Sequence, residues 1–120
     1  MKTGILLFGH GARNAEYAEP FRRVREAMQA SDPQVLVEIG FLELMPPSLE
    51  QAFDALVAQG VTRVRIVPIF FAPGRHVLKD LPARAAAVMD RHPELVIEVA
   101  DAVGTVPAVV AAMADYALRG

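Results

Sequence analysis

Four short apolar runs rich in Val and Ile alternate with four longer stretches of helical period, and nothing else in the chain constrains its fold as strongly. The runs occupy residues 4–8, 35–41, 63–70 and 95–100, so the expected element order is βαβαβαβα. Strands joined through helices in one sheet need crossover connections, which are right-handed almost without exception. The expected fold is therefore α/β, an open parallel four-stranded sheet with helices on both faces. The first and third runs are nearly continuous in apolar residues, as strands covered on both faces are, and are expected at its centre.

The helical stretches carry their own boundaries. Tyr17, Phe21, Val24 and Met28 line one face of the first while Arg22, Arg23 and Glu26 face water, and Ser31-Asp32-Pro33 ends it. The second buries Leu49, Ala52, Phe53, Leu56 and Val57, starting at Ser48 or the adjacent prolines and closing before Gly60. Asp80 is expected to cap a third helix that buries Leu81, Ala85, Val88 and Met89 and stops at Pro93. Thr105 is expected to cap a fourth that buries Val106, Val109, Val110, Met113 and Tyr116. Tyr17 and the methionines are core by spacing.

At 120 residues, 53% of them hydrophobic and 22% charged, the chain fits one domain over residues 1–120. A domain of that size buries about two thirds of the surface its unfolded chain exposes. The core is adequate rather than generous, and a dimer would add to it. Net charge is -2 and the basic residues are scattered, which argues against nucleic acid as a partner. The absence of cysteine excludes disulfides, thiolate metal sites and cysteine nucleophiles. The apolar opening Ile5-Leu6-Leu7-Phe8 is too short for a signal peptide or a membrane span, so a cytoplasmic protein with no membrane association is expected.

In open α/β sheets ligands bind outside the carboxyl ends of the strands. There this sequence places Gly9-His10-Gly11-Ala12-Arg13 after the first strand, Glu43 after the second, and Ala72-Pro73-Gly74-Arg75-His76 after the third. His10 and His76 both follow apolar strands and both have glycine close by, which lets a ligand approach the backbone. His92 differs: it lies at a helix C-terminus before Pro93, where the helix dipole accounts for it. Glu43 interrupts the apolar run Phe41-Leu42-Glu43-Leu44-Met45, and burying a carboxylate without a role is costly. Arg13 and Arg75 are either solvated charges or partners for a ligand's carboxylates. Metal handling unites these residues. Neutral imidazole ligates cobalt, nickel, iron and zinc, and also accepts a proton near neutral pH. Metallating a porphyrin-like ring needs both, because the ring loses two pyrrole protons as the ion sheds water.

Three segments together resemble a known family: Leu6-Leu7-Phe8-Gly9-His10-Gly11-Ala12-Arg13, then Phe41-Leu42-Glu43 with Pro47-Ser48-Leu49, then residues 67–76 (Val-Pro-Ile-Phe-Phe-Ala-Pro-Gly-Arg-His) followed by Asp80-Leu81-Pro82. The chain is similar over nearly its whole length to the small sirohydrochlorin chelatases, single-domain members of the class II tetrapyrrole chelatases. That resemblance implies a flavodoxin-like, chelatase-like half, and a homodimer, since relatives of double length carry two such domains. It implies that His10 is metal ligand and proton acceptor and that His76 is the second ligand. It also implies that Glu43 and the segment Phe71, Ala72, Pro73, Gly74, Arg75, His76 contact the macrocycle, with Arg13 and Arg75 near the carboxylates of its rim. It implies no permanently bound cofactor and a divalent metal as substrate, cobalt foremost, with iron or nickel open. Cobalt would place the chain in cobalamin synthesis, iron in sirohaem synthesis and nickel in a methanogen cofactor pathway. Ala12 stands where the family usually has Ser.

Other classes fit less well. A helix opening near His10-Gly11 could bind an anion, but histidine phosphatases place Arg directly before that His, and here it is Gly9. A receiver would need acidic residues at the end of the first strand, and Gly9-x-Gly11 without a third glycine is a poor phosphate signature. A non-catalytic metal- or tetrapyrrole-binding protein of the same fold is the alternative that keeps the site intact.

Overall fold

In the computed structural model, which describes residues 2–72 and 74–119 except the side chains of His76 and Leu78, the apolar runs form β1 (Thr3–Gly9), β2 (Leu36–Phe41), β3 (Arg63–Pro68) and β4 (Val96–Val99). All pair in parallel, in the order β2-β1-β3-β4. The helices between and after them are α1 (Glu19–Ser31), α2 (Leu49–Ala58), α3 (Arg75–Arg91) and α4 (Pro107–Leu118). The two strands expected at the centre are there, and Leu7 lies in register between Ile39 and Val67.

Alternation along the strands divides the core in two. On one face Leu6, Phe8, Val64 and Ile66 meet Leu49, Phe53 and Leu56 of α2 and Val77, Leu81 and Val88 of α3. On the other, Leu7, Val37, Ile39 and Phe41 meet Phe21 of α1, with Tyr17 packed against both Phe21 and Phe41. Helix α2 follows its sequence closely. The Ser48 hydroxyl accepts from the Gln51 N–H while the Gln51 side chain accepts from the Ser48 N–H, a reciprocal cap, and Gly60 takes φ 86° just past the end.

Three expectations need correction. Tyr17 sits in a 3-10 turn, Ala15–Ala18, ahead of α1, and Val24 is exposed, so Phe21 is the one fully buried side chain of that helix. Helix α3 begins at Arg75 with Gly74 as its cap, not at Asp80, and Pro82 lies inside it. Its buried stripe runs from Val88 and Ala85 back through Leu81 to Val77, with Met89 exposed rather than buried, and burying Val77 draws the first turn into the helix at the cost of the hydrogen bond that Pro82 cannot donate. Helix α4 buries none of its residues: Val110, Tyr116 and Leu118 are exposed. Its cap is Val106, and the Thr105 hydroxyl instead donates to the Ala102 carbonyl at 2.7 Å.

Because α4 stands away from the sheet, the α1-side face of β3 and β4 is open. There Arg63 and Arg65 both pair with Glu98, at 3.2 and 3.1 Å. The expectation that β3 is covered on both faces thus holds on the α2–α3 side, and on the other side only at Val67, which packs against the Leu7 cluster. Among the described residues no helix is long and apolar enough to cross a membrane.

Phe53 is fully buried between α2 and the sheet, so Phe53→Ala should lower unfolding free energy by about 3–5 kcal/mol. Tyr116→Ala should change the intrinsic stability of an isolated chain by less than about 0.5 kcal/mol, as exposed positions do. Urea unfolding followed by circular dichroism checks both.

Candidate active site at the carboxyl edge of the sheet

The last carbonyls of β1 and the turn after it gather the neighbouring loops. Phe8 O accepts from Ile69 N at 2.8 Å, Gly9 O from Leu42 N at 2.9 Å and His10 O from Glu43 N at 3.1 Å. The loop after β3 thus lies along one side of His10 and the loop after β2 along the other. This is the switch point of the sheet, where the connections leaving the neighbouring strands β1 and β3 run in opposite directions.

Glu43 meets His10 here. Its Oε2 lies 3.3 Å from His10 Nε2, with the two side chains 47% and 46% exposed. The carboxylate is therefore not buried, and the sequence argument from desolvation fails for it: the apolar neighbours Leu42 and Met45 pack inward while Glu43 points out. Two backbone features make the approach possible. Gly11 takes φ 101°, and a Cβ there would collide with the Glu43 carbonyl oxygen. Leu44, next to Glu43, takes φ 71°, a left-handed conformation that costs an L-residue about 1–2 kcal/mol. The N–H of Ala12 faces the Met45 sulfur at 3.4 Å.

Beyond β3, Phe71 is 77% exposed, and Ala72, Gly74 and Arg75 are exposed beside it. Gly104 backs this segment: its N–H donates to Phe70 O at 2.8 Å, and a Cβ would collide with the Phe71 backbone. Arg75 and His76 belong to the first turn of α3 rather than to a loop. Pro73 and the His76 side chain lie outside the described residues. Arg13 is exposed after the His10 turn. Among the described residues no three His, Asp or Glu side chains converge as a metal site. His92 caps α3 and lies 3.4 Å from Asp54 of α2, a pairing between helices away from this edge.

Two apolar hollows flank Phe70. One of about 430 Å³ lies between Val77 and Leu81 of α3 and Val99–Ala102; the other, about 220 Å³, lies between Phe71 and Val109 and Met113 of α4. Neither is lined by His10 or Glu43. The polar pair sits on an open shelf beside apolar ground.

Sequence reasoning missed Arg84 and Glu50. From α3, Arg84 donates Nε to Glu50 Oε2 at 2.8 Å and Nη2 to Glu50 Oε1 at 2.6 Å, and its Nη1 reaches the Leu42 carbonyl at 2.8 Å. The fork holds the Glu50 carboxyl below its ordinary range and raises the Arg84 guanidinium. In sequence Arg84 lies in an alanine-rich helical stretch far from both partners, and the one faint signal is its place at the edge of the Leu81–Ala85–Val88 stripe.

The CbiX family model matches residues 4–119, and the chain belongs to that family. A sirohydrochlorin ferrochelatase of Bacillus subtilis is 33% identical over 87% of this chain and 40% of its own length. A sirohydrochlorin cobaltochelatase of Methanosarcina acetivorans is 36% identical over 68% of this chain and 62% of its own. This chain therefore spans less than two thirds of either relative. Among solved structures, a CbiX protein of Marinobacter aquaeolei VT8 assigned to cobalamin (vitamin B12) biosynthesis superposes with a TM-score of 0.86 at 29% identity, covering 99% of this chain and 94% of that one. SirB from Bacillus subtilis with Fe3+ superposes at 0.75 with 32% identity, over 86% of this chain and 41% of that one.

The Arg84 fork also fixes a pH dependence. A carboxyl whose folded pKa is depressed stabilises the fold fully above its unfolded pKa, about 4.3, and loses that contribution as pH falls through the folded value. Glu50 is partly exposed, so after screening the contribution is on the order of 1 kcal/mol. Glu50→Gln should lower the urea midpoint at pH 7, and the gap to the unmodified chain should close as pH drops from about 5 to about 3.

Proposed function

We propose that this chain inserts a divalent metal ion into sirohydrochlorin. The observation that carries the reading is the His10 imidazole held 3.3 Å from the Glu43 carboxylate at the switch point of the sheet, in a chain of the CbiX family whose curated relatives carry chelatase names. In this reading His10 receives the metal and takes one of the two pyrrole protons, the other leaving to water, with Glu43 beside it to orient the imidazole and stabilise its protonated form. His76, in the first turn of α3, supplies the second imidazole. The ring lies on the apolar ground of Phe71, Ala72, Pro73 and Gly74, and Arg13 and Arg75 pair with carboxylates at its rim. The metal passes through as substrate and no permanent cofactor is required. Cobalt is foremost, because the relatives named for it are those of which this chain covers the larger share; iron and nickel suit the same donors.

The same proposal makes residues 1–120 one working domain, located in the cytoplasm and assembled as a homodimer. The shelf is open, and α4 exposes Val110, Tyr116 (84%) and Leu118 (87%). A second copy would bury that helix and enclose a flat ring from its other side.

Absorbance at the ring's visible bands during cobalt addition tests the chemistry. His10→Ala should cost on the order of a hundredfold or more, since general-base contributions alone are about 10² to 10⁴. Glu43→Gln should lower turnover with the fold intact, His76→Ala should recover part of its rate at raised cobalt, and His92→Ala should be close to neutral. A wild-type rate for His10→Ala, or binding of ring and metal with no insertion, would rule the reading out. For the assembly, sedimentation at micromolar concentration should give twice the chain mass, and Tyr116→Asp with Leu118→Asp should shift it towards the monomer. A monomer that metallates the ring at full rate would refute the dimer.

A further inference from the structure

Glu43 reaches His10 from a loop that holds an unusual path. The path includes Leu44 in the left-handed region and a carbonyl of Glu43 packed where Gly11 leaves room. Such a conformation persists only where its surroundings fix it. Two of the contacts that fix it come from β1 and the turn after it, through the N–H groups of Leu42 and Glu43. The third comes from α3. Arg84 Nη1 donates to the Leu42 carbonyl at 2.8 Å, on the peptide that joins Leu42 to Glu43.

We propose that Arg84 is a positioning residue for the site: braced by Glu50, its guanidinium clamps the Leu42–Glu43 peptide so that the Glu43 carboxylate stands against His10. The bracing is what makes the clamp rigid. Nε and Nη2 are both taken by the two oxygens of Glu50, at 2.8 and 2.6 Å, which fixes the guanidinium plane and leaves Nη1 aimed at Leu42. Lysine could pair with Glu50 but could not hold both partners in one plane. The clamp also joins the elements that bear the candidate groups. Arg84 lies on the helix whose first turn contains His76, Glu50 lies on α2, and the clamped peptide leads into Glu43. Arg84 itself is turned to Glu50 and Leu42, so it acts through Glu43 and not on a ligand.

The test has two arms, and only the kinetic arm rests on the chelatase reading. Backbone amide exchange by NMR on the whole chain reads the clamp directly. In Arg84→Gln the Glu43 amide, bonded to His10 O, should exchange about tenfold faster or more while amides of β1 such as Leu7 keep their protection. Arg84→Lys and Glu50→Gln should give smaller changes at the same amide, and they stand in if the glutamine variant does not fold. Unchanged exchange at Glu43, or an equal rise across the sheet, would overturn the proposal. In the kinetic arm, Arg84→Gln should lower kcat for cobalt insertion about tenfold with KM for the ring within about twofold, and in a Glu43→Gln background the same change should cost less than about twofold. An equal loss in both backgrounds would mean that Arg84 supports the fold and not Glu43. If the unmodified chain inserts no metal, the chelatase reading fails by itself and the exchange arm still decides the clamp.

Discussion

The carboxyl end of β1 is the constraint on which the rest depends. Phe8, Gly9 and His10 present three successive carbonyls, and the N–H groups of Ile69, Leu42 and Glu43 come to them from opposite sides. Each bond is an ordinary backbone one, with a net value of about 1 kcal/mol. Their effect is geometric: they oblige two loops far apart in sequence to flank one histidine. The pairing can occur only with β1 in the middle of the sheet, and β1 is in the middle because its side chains are apolar on both faces.

From that centre the two faces of the sheet diverge. The α2–α3 face is closed by large buried side chains, and its helices are tied together twice, by Arg84–Glu50 near the site and by Asp54 with Arg91 and His92 farther from it. The other face is closed only over β1 and β2, by α1, while β3 and β4 show an Arg63–Glu98–Arg65 trio and α4 stands clear. The open face is where a chain of this size has apolar surface still to cover, which is why enclosure of a large flat ring and assembly of two copies belong to one proposal.

How far residues alone could lead is clearest at Glu43 and α3. The residue was legible as a site candidate because it breaks an apolar run, yet the reason offered, a buried charge, does not hold: the side chain is half exposed and is held by backbone geometry. Arg84 was invisible, since an arginine on a helix acquires its meaning only from what lies opposite, and Glu50 and Leu42 are 34 and 42 residues away. The α3 boundary was misread because Asp80 followed closely by Pro82 has the local form of a helix start, while the burial of Val77 that extends the helix is a tertiary event.

The sequence by itself determined the alternation of strands and helices, the central place of β1 and β3, the extent of α2 from about Ser48 to Gly60 and the identity of the residues at the strand ends. All of these follow from local periodicity, backbone preference and the right-handed crossover. Tertiary structure decided what those residues meet: that Glu43 stands against His10, that Arg84 clamps the peptide before it, and that α4 buries none of its own residues fully. An apolar stripe specifies that a helix needs a partner but not which surface supplies it, and a charged side chain on a loop acquires direction only once the packed sheet has fixed the backbone beneath it.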